Sequence, residues 1–406
     1  MPVVKPEILR WARKAAGLTL EQAVEKLRLG PARGVSAVDR LAAFEVESEA
    51  GADVPRPLLV KMAKKYRRPL LTFYMSAPPR QGDRGQDFRA LPAGRLTTDD
   101  AALDALIRDV QARQSLVRAI LEEEEEAVQL SFIGSKKTPD GVAAVLTSIR
   151  DTLQINLSEF RSQPSAKKAF DWLRAKAEGA GIFVLLKGDL GSHHTALSLE
   201  NFRGFALADP VAPFVVINDH DSEAAWSFTL LHELAHLWLG QTGVSGQHAE
   251  LDIERFCNDV AGELLLPGQE ARQLSIEDTT DFETIEQTIT QLARARNLSS
   301  SMVAYCLYRV RAFDQDLWRR LRDFFREKWL RNRELHRERV RDDEGGPDFY
   351  VIRGHRIGKG LLDFVGRMMD AGVLTTTKAG KVLGVKPKQV QPLLEAGSRK
   401  GVRPKA

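Results

Sequence analysis

His232, Glu233 and His236 stand in the run Phe228-Thr229-Leu230-Leu231-His232-Glu233-Leu234-Ala235-His236-Leu237-Trp238-Leu239-Gly240. On a helix, residues four apart lie about 40° apart around the axis and about 6 Å along it. The two imidazoles are therefore expected side by side, able to share one divalent cation at zinc–nitrogen distances of ~2.0–2.1 Å. Glu233 projects next to them, placed to serve a zinc-held water as general base and then to protonate a leaving amine. The neighbouring Leu and Trp residues bury the rest of the helix and keep such a site dry. A catalytic zinc needs three protein ligands and one open position. A third donor must come from another element.

Glu254 to Pro267 reads as a second amphipathic helix, with Phe256, Val260 and Leu264 turned inward and Glu254 in its first turn. Glu254 is the expected third ligand. His248, Glu250 and Asp252, in the intervening loop, compete for that role. Asn258, one turn beyond Glu254, is placed to hydrogen-bond a ligand histidine from behind. One Zn2+ suits the set, and Mn2+, Fe2+ or Co2+ fit the same two-nitrogen, one-oxygen chemistry. A purely structural zinc is disfavoured, because such sites are closed and usually cysteine-rich. Tyr305, His220 and His248 are candidates to stabilise a tetrahedral oxyanion. Gly204–Leu207 or Phe214–Ile217 is expected to supply an edge strand for substrate.

The FTLxHELAHLWLG run followed by ExxxNxxAxELLLP resembles the ImmA/IrrE metallopeptidases, bacterial and phage proteins that cleave or inactivate a partner repressor. The resemblance implies a zincin-like fold of the gluzincin type, with His232, His236 and Glu254 on zinc and Glu233 catalytic. It extends outward. Asp87-Phe88-Arg89-Ala90-Leu91 looks like the DFR segment of the longer members, and Leu298–Tyr305 like a later helix-turn-helix-like element. The first residues resemble a Cro/C1-type (XRE) helix-turn-helix, through Leu18–Ala23, Phe44-Glu45 and Pro57…Leu59…Ala63…Tyr66…Pro69. Arg33, Ser36 and Arg40 are its DNA-contact candidates. Cys257 and Val260 depart from the Ala and Phe usual in the family, and Trp226-Ser227 stands where an Arg is common. The Cys257 thiol so close to Glu254 is open to oxidation.

These side chains need a scaffold, and 406 residues imply several domains. An apolar fraction of 43% is enough for sizeable cores. No run approaches the ~20 apolar residues of a membrane span, and the basic start lacks the apolar stretch of a secretory signal. Two cysteines, Cys257 and Cys306, make no disulfide framework, which agrees with a cytoplasmic setting. The expected class is α+β and predominantly helical, a zincin-like domain with a small sheet flanked by helix-turn-helix-type domains. Residues 1–76 form the first helical domain, 77–98 a linker, 99–180 a helical connector, 181–341 the metallopeptidase domain and 348–406 a basic helical tail. Strand-like runs fall at Gly181–Leu186, Thr195–Leu199, Gly204–Leu207 and Phe214–Ile217. The tail carries twelve Lys and Arg from Arg353 onward against three acids, and Val373–Val385 reads as a helix-turn-helix.

Two functions follow. The first is a cytoplasmic zinc endopeptidase making limited cuts in a repressor or antitoxin, in stress response, mobile-element or toxin–antitoxin regulation. The second is a DNA-binding transcriptional regulator that keeps the zincin fold for docking or sensing. DNA is a possible partner through either end, a membrane is not, and a homodimer is compatible with both.

Overall fold

A computed structural model describes residues 4–32, 34–46, 51–78, 98–191, 195–245, 251–274, 281–341 and 348–399. Arg33, His248, Glu250, the Asp87–Leu91 segment, most of the expected 77–98 linker and residues 342–347 lie outside the described residues. The chain forms two compact units, one of residues 1–109 with 189–201, the other of residues 110–188 with 202–406. Among the described residues no helix is long and apolar enough to cross a membrane.

The first unit begins with α1 (Pro6–Lys14), α2 (Leu20–Leu27), α3 (Ala37–Phe44) and α4 (Arg56–Lys65), followed by a 3-10 turn at Leu70–Tyr74. Local chemistry sets these boundaries. Pro6 opens α1, and Thr19 and Gln22 cap α2 reciprocally. Leu9, Ala12, Leu27, Leu41, Leu59, Met62 and Phe73 meet in its core. Arg13 pairs in two-pronged fashion with Glu45, both bonds 2.7 Å and buried, and also donates to the Leu18 carbonyl. Thr195–Leu199 is no strand; Ala196 makes an isolated bridge with Asp189. α5 (Thr98–Glu123) starts in this unit and ends in the second.

The second unit runs through α6 (Val142–Leu153), α7 (Leu157–Arg161), α8 (Ala166–Gly179), β1 (Phe183–Leu186), β2 (Gly204–Leu207), β3 (Phe214–Ile217), α9 (Glu223–Trp238), β4 (Gly243–Ser245), α10 (Leu251–Leu265), α11 (Gly268–Gln273), α12 (Phe282–Ala295), α13 (Ser300–Arg309) and α14 (Gln315–Arg341). The architecture is α+β and predominantly helical. Its four strands lie in the order β1-β3-β2-β4, with β1 parallel to β3 and the other pairs antiparallel. This corrects the expectation for the edge strand. Gly204–Leu207 and Phe214–Ile217 are both interior, and every residue of each is buried, as expected of strands covered on two faces. The edge next to β2 is Gly243–Ser245.

α9 is central. From Thr229 to Trp238 every residue is buried, because β2, β3, α6, α8 and α10 all pack around it. Its C-terminal end is anchored by Trp238, which stacks on Phe132 at 4.5 Å between ring centroids and donates to Ser148 Oγ at 2.9 Å.

Four more helices complete the unit: α15 (Phe349–Ile357), α16 (Lys359–Asp370), α17 (Thr376–Leu383) and α18 (Val390–Arg399). They are not a loose basic appendage. The buried Arg174 of α8 donates to the carbonyls of Val184, His355 and Arg356 and pairs with Glu178 at 3.1 Å. Glu178 in turn accepts from the Gly360 amide at 3.0 Å. His355 meets Asp171 at 2.9 Å and Arg356 meets Asp219 at 2.6 Å. Gly358, at φ 92°, turns the chain where a side chain would strike Arg174, Glu178 and the Val184 carbonyl. The Glu122–Glu126 run is exposed, and Glu126 pairs with Arg367 of α16.

Candidate metal centre

α9 and α10 pack side by side and bring His232, His236 and Glu254 together. His232 Nε2 lies 3.2 Å and His236 Nε2 3.1 Å from the two carboxylate oxygens of Glu254. The two Nε2 atoms are 3.1 Å apart. One donor atom from each of the three residues lies within 4.8 Å of the other two. Both imidazoles are buried and neither Nδ1 has a hydrogen-bond partner. Three convergent Nε2 and carboxylate donors fit a divalent cation of the zinc type. The same chemistry admits Mn2+, Fe2+ or Co2+.

Residues 178–308 match the IrrE N-terminal-like domain model, Peptidase_M78. The match runs from the end of α8 to α13, about a third of the chain, and contains all three donors and Glu233. It supports a metallopeptidase-type domain and agrees with a zincin-like fold. No curated protein and no solved structure gives a match to the chain.

Electrostatics within the IrrE-like segment follow from the crowding of these groups. Burial opposes a charge on His236, but the adjoining Cys257 and Glu254, with the nearby Glu233, hold its pKa well above the usual imidazole range. Burial likewise opposes ionisation of Glu254, yet hydrogen bonds with both imidazoles bring its pKa down to about 2. A divalent cation must displace the proton that this carboxylate favours on His236. Metal affinity should therefore rise with pH until pH exceeds the raised His236 pKa, by up to about tenfold per unit. Calorimetric titration with Zn2+ in buffers of different ionisation enthalpy, between about pH 6 and about pH 8, reads the released proton directly.

Glu233 is fully buried and outside the donor set. Its carboxylate rests against the first residue of β2. A methyl group at Gly204 would lie 2.7 Å from Glu233 Oε1 and 2.8 Å from Thr229 Cγ2. Strand and helix therefore approach so closely that only a glycine leaves the carboxylate where it is. Gly204→Ala should displace the Glu233 carboxylate by about 1 Å without touching the three donors; where that carboxylate serves as a general base, such a shift slows turnover about 100-fold. Parallel measurement of kcat and zinc content checks this, and an unchanged kcat would contradict it.

The other sequence candidates are placed differently. Asn258 makes no hydrogen bond to either ligand histidine, since both Nδ1 atoms lack partners. The residue of α10 that abuts His236 is Cys257, three positions after Glu254 and completely buried. Burial raises the Cys257 pKa and keeps it a thiol. A residue read only as an oxidisable departure from the family thus packs behind a ligand. Tyr305 donates to Asp259 Oδ1 at 3.0 Å, and Asp259 also pairs with Arg309 at 2.5 Å. Asp259 lies five residues beyond Glu254, hence about 140° around the helix. This engages the Tyr305 hydroxyl in tying α13 to α10. His220 occupies the turn after β3, its amide donating to Asn218 Oδ1 at 3.0 Å and its ring facing Gly188. Asp252 is exposed and outside the donor set. In the first unit, Ser36 caps α3 by accepting from the Asp39 amide at 3.1 Å, and Arg40 donates to the Gly30 carbonyl. Of the three DNA-contact candidates, the two among the described residues are engaged in local structure.

Proposed function

We propose that this chain is a zinc-dependent endopeptidase of the cytoplasm that makes limited cuts in one partner protein, a DNA-binding repressor or antitoxin. The observation that carries the reading is the meeting of His232, His236 and Glu254 beside the buried carboxylate of Glu233. His232, His236 and Glu254 would hold the cation. When bound there, it supplies Lewis acidity to a peptide carbonyl and to water. Glu233 takes the proton of the attacking water and delivers it to the departing amine nitrogen. Gly204 fixes where that proton is held. The buried walls of α9 exclude bulk water and strengthen each charge interaction. The four-stranded sheet offers β4 as the edge for an extended substrate segment. In this reading the N-terminal helices, which resemble a Cro/C1 domain, act as an adaptor toward the repressor or its operator.

The test is cleavage itself. The purified chain, incubated with a co-purifying partner, should yield two defined fragments whose new termini sequencing identifies. Chelation should stop the cutting and Zn2+ should restore it. Loss of cutting that no divalent metal restores, or fragments produced equally without the chain, would defeat the reading. The second reading, a regulator using this fold to dock a partner, draws support from the basic helices of the second unit. It predicts binding of the partner without fragments.

A further inference from the structure

We infer that α17 and α18 form a duplex-DNA contact surface, with the start of α18 entering the major groove and α17 lying over the phosphate backbone. From Ala371 to Leu394 the sequence holds four lysines and no acid. Ala379, Val382 and Leu383 of α17 are buried, as are Val390 and Leu393 of α18 and Leu361, Val365 and Met368 of α16. This shared core sets the angle between the helices. The turn is closed by Gly384 in the left-handed region at φ 65°, whose carbonyl accepts from Arg353 at 2.8 Å. Gln389 then accepts from the Lys386 amide at 3.1 Å and starts the next helix. Two short helices joined by a fixed turn, packed on a third, are the geometry that delivers a second helix into a groove.

The outward face has the matching chemistry. Thr376, Thr377, Lys378 and Lys381 on α17, and Lys386, Lys388 and Gln391 around the start of α18, are all exposed. Neighbouring basic residues are engaged elsewhere: Arg356 with Asp219, Lys359 with Asp363, Arg367 with Glu126. Among the described residues, Lys378, Lys381, Lys386 and Lys388 enter no ion pair. Four unneutralised cations in an acid-free stretch suit a phosphate backbone, which supplies most non-specific affinity. Gln391 adds an amide of the kind that reads an adenine edge; it donates to Glu395 Oε1 at 3.4 Å, a long bond that a base edge would replace. A B-form major groove about 12 Å wide admits a helix, whereas the deep, narrow groove of A-form RNA does not.

The test uses the full chain and fluorescence anisotropy with a labelled random-sequence DNA duplex of about two helical turns. The expected Kd is of order 10⁻⁶–10⁻⁴ M at physiological salt. The variant Lys378→Ala/Lys381→Ala/Lys386→Ala/Lys388→Ala should bind at least about tenfold more weakly. Its slope of log K against log salt should be shallower by about 0.9 per phosphate contact removed. The corresponding fourfold Arg variant should restore both, which separates charge from folding. Affinity within about twofold of wild type in the Ala variant would overturn the assignment. So would the absence of duplex binding by the wild type, or tighter binding of an RNA duplex of the same sequence. The readout is independent of proteolysis, so failure of one proposal leaves the other standing.

Discussion

Glu233→Gln should lower the rate of partner cleavage by about 10²–10⁴-fold and leave metal content unchanged. The substitution keeps the side chain's size and removes its ability to accept a proton. Size matters here, because Gly204 and Thr229 pack so closely on Glu233 that a larger group would shift β2 against α9. Metal retention is expected because the donors are His232, His236 and Glu254. The cost falls on proton transfer. Initial rates of fragment formation, with zinc stoichiometry determined on the same samples, check both halves. A rate within about twofold of wild type would remove Glu233 from the chemistry and favour the docking reading. The same variant should also hold its substrate uncut, making it the reagent of choice for capturing the partner.

Arg174→Leu should destabilise the second unit by about 3–5 kcal/mol, the usual cost of breaking a buried ion pair from one side. Arg174 is only 5% exposed, and it satisfies the carbonyls of Val184, His355 and Arg356 as well as Glu178. Its loss strands a carboxylate and three acceptors in the interior. Desolvation dominates both partners, lowering the pKa of Arg174 and raising that of Glu178. The pair is therefore costly to bury, and replacing both members with apolar residues should recover part of the loss. Recovery stays incomplete because the Gly360 amide loses Glu178 as its acceptor. Chemical unfolding of the single and double variants measures the difference. Hydrogen exchange at Gly360 should rise in both. A single variant destabilised by less than about 1 kcal/mol would contradict the argument.

The donor set was legible because its information is local. An i, i+4 pair of histidines on an apolar helix, and a glutamate in the first turn of the next, need only helical geometry to be interpreted. The interior strands were legible as strands but not as neighbours, because a continuous apolar run such as Phe214–Ile217 does not state its order in a sheet. β4 carried no signal: Gly243-Val244-Ser245 is three residues long and looks like a turn. Asn258 was expected behind a ligand histidine, but the α10 residue beside His236 is Cys257, one position earlier and read in the sequence only as an oxidisable departure. Arg174 and Glu178 pair four apart on one helix and carried no sequence-level assignment. Their true partners, near residues 355–360, are some 180 positions distant in the chain. Nothing local announces them.

That distant clasp bears on how the protein can be dissected. The family match ends at residue 308, whereas the unit that encloses the donor atoms continues into the helices beyond residue 348. A fragment trimmed to the matched segment would lose Arg174, leave Glu178 without that partner and without the Gly360 amide, and bare the aromatic face of Phe183, which otherwise packs on Phe364 at 6.0 Å between ring centroids. The recognisable homology thus ends well short of the compact unit, whose buried contacts run on to the basic helices at its far end.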